Sequence, residues 1–392
     1  MGSNVVLDVR HVSVEYAADS GAVHAVEDVS FTLERGQILG LAGESGSGKS
    51  TLAYAIARLI KPPAVITGGQ VLYTPRPGAR KAEGLTVEGV DLDANETVDV
   101  LTLTSAQLRT FRWRTLSFVF QSAMNALNPV LSVRAQIMDV LRAHYPKMNK
   151  REREDRAYEL VRLVGIAPDR LSSFPHELSG GMRQRAVIAI ALALNPEVII
   201  LDEPTTALDV VVQREILAEL IGLRDELGFS VIFITHDLSL LLEIADRVAI
   251  MYAGRMVEMA DGASIYRHAR HPYTHGLLHS FPSLRGPRKT MIGIPGSPPD
   301  LRMLPPGCAF HPRCAYTLPA CREMLPTLRA EPGGGDGCLV ACHLYDDAIN
   351  PAGPPLDLIG TDTVNDTLGA AEEASTEQQE PLATGAKGDA LL

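Results

Sequence analysis

The chain has 392 residues, 46% of them hydrophobic and 21% charged, which suits a folded protein of one large domain plus an appendage. Its formal charge of −11 is unevenly spread: from Asp346 onward ten carboxylates face a single lysine. The remainder is nearly neutral, which argues against nucleic acid as a partner. The longest useful apolar run, Ala186–Leu194, is nine residues, about half of a bilayer span, and no secretory leader opens the sequence, so a cytosolic protein is expected.

Taken in chain order, Val5, Leu7 and Val9, then Val12, Val14 and Tyr16, alternate with polar residues, and Val23 to Leu33 repeats the pattern after a turn at Asp19–Gly21. This predicts half-buried antiparallel strands. Gln37 to Ala42 reads as a buried strand, Lys49 to Ile60 as a helix, and Phe118 to Gln121 as the end of another strand. A polar stretch at 72–104 reads as a surface insertion, whose closure cost grows slowly with length. Ser132 to Leu194 has helical period, broken at Pro168 and Pro175. Val198–Leu201 and Ser230–Thr235 are apolar runs without alternation, as in parallel strands covered on both faces, with a helix over Val210–Leu227 between them. The fold class is α/β: a nucleotide-binding core with an antiparallel layer and an inserted helical subdomain at about 105–195. The expected units are 1–265, a C-terminal extension at 266–345, and an acidic tail at 346–392 too poor in apolar residues to order itself.

Three motifs carry the chemistry. GESGSGKS at 43–50 is a phosphate loop. Gly43, Gly46 and Gly48 let successive N–H groups turn toward phosphate oxygens, with Ser45 between them and Thr51 in the first helical turn. Lys49 should reach the β- and γ-phosphates of ATP, and the Ser50 hydroxyl should ligate magnesium. VIILDEP at 198–204 ends a buried strand on two carboxylates. Adjacent strand residues face opposite ways, so Asp202 fits a magnesium-associated carboxylate and Glu203 the base that polarises water. LSGGMRQR at 178–185 is a small-residue helix start with no role inside a single nucleotide site, which points to a second nucleotide.

The three motifs in this order resemble the ATP-binding subunit of an ABC transporter, over roughly residues 5–345. The resemblance implies that Ser179, Gly180 and Gly181 contact the γ-phosphate of a nucleotide held by the opposite subunit. It implies that Gln121, ending FVFQ, couples magnesium to the membrane partner and that Asp209, in Ala207-Leu208-Asp209, belongs to the D-loop. His236, after FIT, would lie near the γ-phosphate, and Tyr16 would stack on adenine. ATP and magnesium are the implied cofactors, ATP hydrolysis the activity, and the cytoplasmic face of the inner membrane the location. The implied partners are a second ABC ATPase, two integral-membrane permease subunits and an extracytoplasmic substrate-binding protein.

All five cysteines fall between 308 and 342. In a cytosolic chain such clustering favours metal ligation over disulfides, and thiolates suit either zinc or an iron–sulfur cluster. HPYTHGLL at 271–278, GCAFHPRC at 307–314 and VACHLY at 340–345 resemble the extension of oligopeptide/dipeptide-type ATPase subunits. That resemblance implies a 4Fe–4S cluster on Cys308, Cys314, Cys321 and Cys342, leaving Cys338 without a counterpart. His271, His275 and His279 fall at helical spacing, but with Pro272 breaking the first turn they are expected to be solvated imidazoles rather than a metal face. Peptides are the implied cargo, with oligosaccharides and nickel complexes as alternatives. An ABC ATPase of DNA repair or chromosome structure would carry coiled coils between Lys49 and Ser179, and no sustained heptads occur there. A redox-sensing protein with a secondary ATPase is a third reading.

Overall fold

The computed structural model describes residues 4–18, 21–76, 97–121, 126–206, 208–280, 293–331 and 337–355. Strands β1 (Val5–Ala18) and β2 (Gly21–Glu34) form an antiparallel ribbon, joined on the β1 edge by β4 (Ala64–Tyr73) and then by β5 (Val98–Asp99). The catalytic sheet is built on β3 (Ile38–Ala42), β6 (Leu116–Val119), β7 (Val198–Asp202), β8 (Ser230–Ile234) and β9 (Arg247–Tyr252). These five run parallel in the order β9-β3-β8-β7-β6, and β10 (Arg255–Asp261) adds antiparallel to β9. Beyond β10 the extension contributes β12 (Leu339–Val340) and β11 (Arg329–Ala330), so the full sheet has eight strands.

β3, β7 and β8 are buried at every position, as their unbroken apolar sequences require. Each fully buried Ile, Leu or Phe there contributes about 1.5–3 kcal/mol. One face packs on the antiparallel ribbon through Leu39, Leu41, Ile200 and Ile232, with helix α1 (Lys49–Ile56) between the sheets. The other face packs on helices: α3 (Val133–His144), α4 (Lys150–Leu163), α5 (Gly180–Ala191), α6 (Val210–Leu227) and α7 (Leu238–Ile244). Helix α2 (Ser105–Arg114) leads into β6, and α8 (Gly262–Arg267) and α9 (Pro272–His279) follow β10. Among the described residues no helix is long and apolar enough to cross a membrane.

Several expectations shift. The helix read to Ile60 stops at Ile56, because Arg58 takes a left-handed φ of 50° and turns the chain. The strand read to Gln121 ends at Val119, leaving Gln121 in a turn. Glu203 is not a strand residue: it leaves β7 with a φ of 46°, so this turn, and not strand alternation, separates it from Asp202. Pro272 begins α9 rather than breaking it, and His271 is its N-cap, 1% exposed and accepting from the Tyr273 N–H at 3.0 Å. A proline at the first helical position has no N–H to lose. Of the 72–104 insertion, the near flank ends β4 and the far flank forms all of β5 and a 3-10 turn over Val100–Thr102, with Tyr73, Val100 and Leu103 buried rather than at the surface, while residues 77–96 lie outside the described residues, as do Ala207 and 356–392 of the acidic tail. That tail begins with a fixed turn, in which Asn350 Nδ2 donates to the Leu344 and Gly353 carbonyls.

Candidate nucleotide site

The loop between β3 and α1 is shaped by glycines at positions no other residue fits. Gly43 has a φ of 144°, and a Cβ there would lie 2.2 Å from the Met251 carbonyl oxygen. Gly48, the N-cap of α1, has a φ of 100°, and its Cβ would lie 2.2 Å from the Ala25 oxygen. No side chain caps α1; its free N–H groups and positive dipole end face the loop, an arrangement that binds anions. Lys49 folds back over the loop, donating to the carbonyls of Gly43 (2.7 Å) and Glu44 (2.9 Å) and to Ser47 Oγ (3.2 Å). Burial lowers its pKa to about 8, against the opposing pull of Glu203, Asp202 and Glu44.

The Ser50 hydroxyl donates to Asp202 Oδ1 at 2.9 Å. Asp202 is fully buried, and burial raises its pKa despite the Ser50 bond. Its other oxygen, Oδ2, is buried without a hydrogen-bond partner among the described residues; the Tyr54 hydroxyl approaches the carboxylate but makes no well-formed bond to that atom. A hydroxyl and an orphaned carboxylate oxygen side by side suit magnesium, a hard cation that takes oxygen ligands.

Glu203 is held from three directions. His236 Nδ1 lies 3.1 Å from its Oε1, while Gln121 Nε2 and Thr206 Oγ1 donate to its Oε2 at 3.0 and 3.1 Å. Burial alone would raise its pKa, but the bonds from His236 and Thr206, with the charges of His236 and Lys49, leave it lowered. It is therefore ionised at neutral pH and able to accept a proton. Thr206 was not singled out in the sequence; its signal is its place three residues after Glu203 in the same turn. Gln121, expected beside magnesium, makes its described contact with Glu203. Tyr16 reaches the first turn of α1, its hydroxyl 3.2 Å from Thr51 Oγ1, which puts the ring beside the loop.

Ser179 is exposed and caps α5, accepting from the Met182 N–H at 3.3 Å. Asp209 caps α6 through the N–H groups of Val211 and Val212 at 3.1 and 3.0 Å. The two helix starts meet: a Cβ on Gly181 would lie 2.7 Å from Val212 Cγ1. They line a cleft of about 650 Å³ with Gly180, Arg185 and Glu215. Among the described residues no hydrogen bond or ion pair joins Ser179–Gly181 to the loop at 43–51, so the structure does not bring these residues to the same nucleotide within one chain.

In the extension, the thiols of Cys308, Cys314, Cys321 and Cys342 lie within electrostatic reach of one another, and the Cys308 N–H donates to the Cys321 carbonyl at 2.9 Å. Burial raises the Cys308 thiol to about 11 and pushes Cys314 and Cys342 up as well. Cys338 is buried in the main core. Among the described residues no three His, Cys, Asp or Glu side chains stand close enough together to hold a single metal ion.

A family model described as ABC transporter matches residues 26–206, and one described as oligopeptide/dipeptide transporter, C-terminal region, matches residues 257–321. The chain is 39% identical over 341 residues to a protein of Sinorhizobium fredii named "Probable peptide ABC transporter ATP-binding protein", covering 86% of this chain and 95% of that one. It is 41% identical over 327 residues to the oligopeptide transport ATP-binding protein OppD of Bacillus subtilis, covering 82% of this chain and 85% of that one. Among solved structures it resembles the dimeric structure of a bacterial ABC transporter cassette, with 27% identity, a TM-score of 0.53, and coverage of 65% of this chain and 98% of that one. A post-hydrolysis state of that cassette, bound to ADP and phosphate, aligns at 27% identity with a TM-score of 0.52, over the same shares of the two chains.

Proposed function

The chain belongs to the ABC transporter family of ATP-binding proteins, and from that footing we propose that it is the ATP-hydrolysing subunit of a peptide importer. The observation that carries the reading is the meeting of Lys49, Ser50, Asp202 and Glu203, drawn from two distant segments, around one anion-binding helix start. The names of the relatives and the C-terminal match support peptides over oligosaccharides or nickel complexes as cargo.

In this reading the N–H groups of Ser45, Gly46, Gly48, Lys49, Ser50 and Thr51 receive the β- and γ-phosphates, with Lys49 swinging from its carbonyl partners to the phosphate oxygens. Tyr16 stacks on adenine. Ser50 and Asp202, with Gln121 nearby, hold magnesium, which when bound neutralises developing phosphate charge. Glu203 takes a proton from the attacking water, and His236, Thr206 and Gln121 fix its carboxylate for that task. Ser179, Gly180 and Gly181, with Asp209 behind them, serve the nucleotide of a second cassette, so two subunits enclose two ATP molecules. Closure of the pair moves two permease subunits at the cytoplasmic face of the membrane, fed by an extracytoplasmic binding protein.

Cys308, Cys314, Cys321 and Cys342 are the thiols that would hold a 4Fe–4S cluster, whose usual donors are four cysteines. Buried, protonated thiols would release their protons on binding it. Reconstitution tests the cargo assignment: the chain, copurified with its permeases in vesicles, should show ATP turnover stimulated by binding protein loaded with peptide. Stimulation by a loaded sugar or nickel complex instead would redirect it.

A further inference from the structure

Arg313 belongs to the extension, yet its guanidinium closes on the phosphate loop. Nη1 and Nη2 donate to Glu44 Oε2 and Oε1 at 2.7 and 3.0 Å, and Nε donates to the Pro295 carbonyl at 2.8 Å. The group lies against the Tyr252 ring, with its side chain 6% exposed. A second contact reaches the same loop residue: the Glu44 N–H donates to the Tyr273 hydroxyl at 2.8 Å. Tyr273 is itself fixed, packed among Tyr252 and Phe310. Both the backbone and the carboxylate of Glu44 are thus held by residues 229 and 269 positions away in sequence.

Glu44 occupies a position of the phosphate-loop pattern at which any residue is allowed, so a carboxylate there calls for an explanation. It lies in a loop built for phosphate, where like charge repels, and its negative charge also acts on Lys49. A bidentate guanidinium removes that charge and fixes the plane of the carboxylate.

We propose that Arg313 is a positioning residue for nucleotide binding: it masks the charge of Glu44 and, with Tyr273, fixes the Glu44 peptide, so that the C-terminal extension sets the affinity of the loop for ATP. The inference rests on the nucleotide-site reading above. Because Arg313 immediately precedes Cys314, the turn that carries it is also the turn that carries one of the four thiols.

The test uses the full chain, with magnesium-ATP and adenosine titrated calorimetrically and turnover followed in parallel. Arg313→Gln should raise the Kd for ATP on the order of tenfold, the scale of a screened like-charge contact, and raise KM with a smaller change in kcat. Adenosine affinity should not change, since adenosine lacks phosphates. Adding Glu44→Gln to Arg313→Gln should recover most of the lost affinity, and raising the salt concentration should shrink the defect. Should Arg313→Gln fail to fold, Glu44→Gln alone decides: it should bind ATP at least as tightly as the parent. Parental affinity in Arg313→Gln, a double variant as weak as Arg313→Gln, or weakened binding in Glu44→Gln would each overturn the proposal. A parent chain that binds no ATP would instead sink the nucleotide-site reading.

Discussion

His236 Nδ1 and Glu203 Oε1 meet at 3.1 Å across the ends of two neighbouring parallel strands, β8 and β7. The contact holds a carboxylate that has already left its strand, in a left-handed conformation. Such backbone conformations persist where the surroundings over-determine them, and here three side chains do so.

Glu203→Gln should leave ATP binding intact and reduce turnover on the order of 10²–10⁴-fold, the usual contribution of a positioned base. Nucleotide titration beside a phosphate-release assay checks this. Near-parental hydrolysis would remove Glu203 from the role of base.

Lys49 sets a pH dependence. Its pKa in the free protein is about 8, lowered from 10.5 by burial, so between those values the unfolded chain binds the proton and the folded chain does not. Stability of the free protein should therefore rise with pH across that window. ATP phosphates favour the charged form, so binding should take up a proton above pH 8. The Kd should climb with pH there, by at most about tenfold per unit. Calorimetry in buffers of different ionisation enthalpy measures the uptake; no uptake at pH 9 would contradict the phosphate role of Lys49.

Two glycines should respond oppositely to alanine. Gly48→Ala places a Cβ 2.2 Å from the Ala25 oxygen at a φ of 100°, costing about 1–3 kcal/mol in backbone strain before the clash, and should abolish ATP binding. Gly222→Ala, inside α6 with nothing within 4 Å of its Cβ, should stabilise by about 0.5–1 kcal/mol. Thermal denaturation compares them.

Ser179 serves both as a helix cap and, in our reading, as a phosphate contact for the other subunit. Aspartate caps as well as serine, so Ser179→Asp should melt close to the parent. Its charge, facing phosphate, should nevertheless cut turnover of the assembled transporter by at least about tenfold. An active Ser179→Asp transporter would leave the serine with its cap alone.

Anaerobic purification should yield a brown protein containing iron and acid-labile sulfide, lost in Cys342→Ser. Colourless protein carrying zinc, or no metal, would remove the cluster from the proposal.

What could be read from the sequence was whatever the chain writes locally. The motifs at 43–50, 178–185 and 198–204 are legible as local patterns and the all-apolar runs mark the central strands, but the shape of the loop is not: Gly43 and Gly48 face the carbonyls of Met251 and Ala25, and Ser50 bonds Asp202 from 152 positions away. The turn at Glu203 is not legible in the sequence, since two of the side chains that hold its carboxylate, Gln121 and His236, lie 82 and 33 positions away. His271 was misjudged because helical spacing says nothing about the strand packed on it: the buried Glu258 of β10 accepts its N–H at 2.9 Å. The Arg313–Glu44 pair spans 269 positions and left no trace, since an arginine between two cysteines looks like part of their turn.

The short strand at Leu339–Val340 has a protective consequence. By pairing with Glu258 and Met259, and through the Ala341 N–H bonded to the Val257 carbonyl, it covers the flank of β10 that would otherwise end the sheet. A fragment cut after residue 330 would present that flank as an open row of donors and acceptors backed by Met256, Val257 and Met259, a ready template for self-association. Preparations of the isolated cassette should therefore clump where the intact chain stays dispersed.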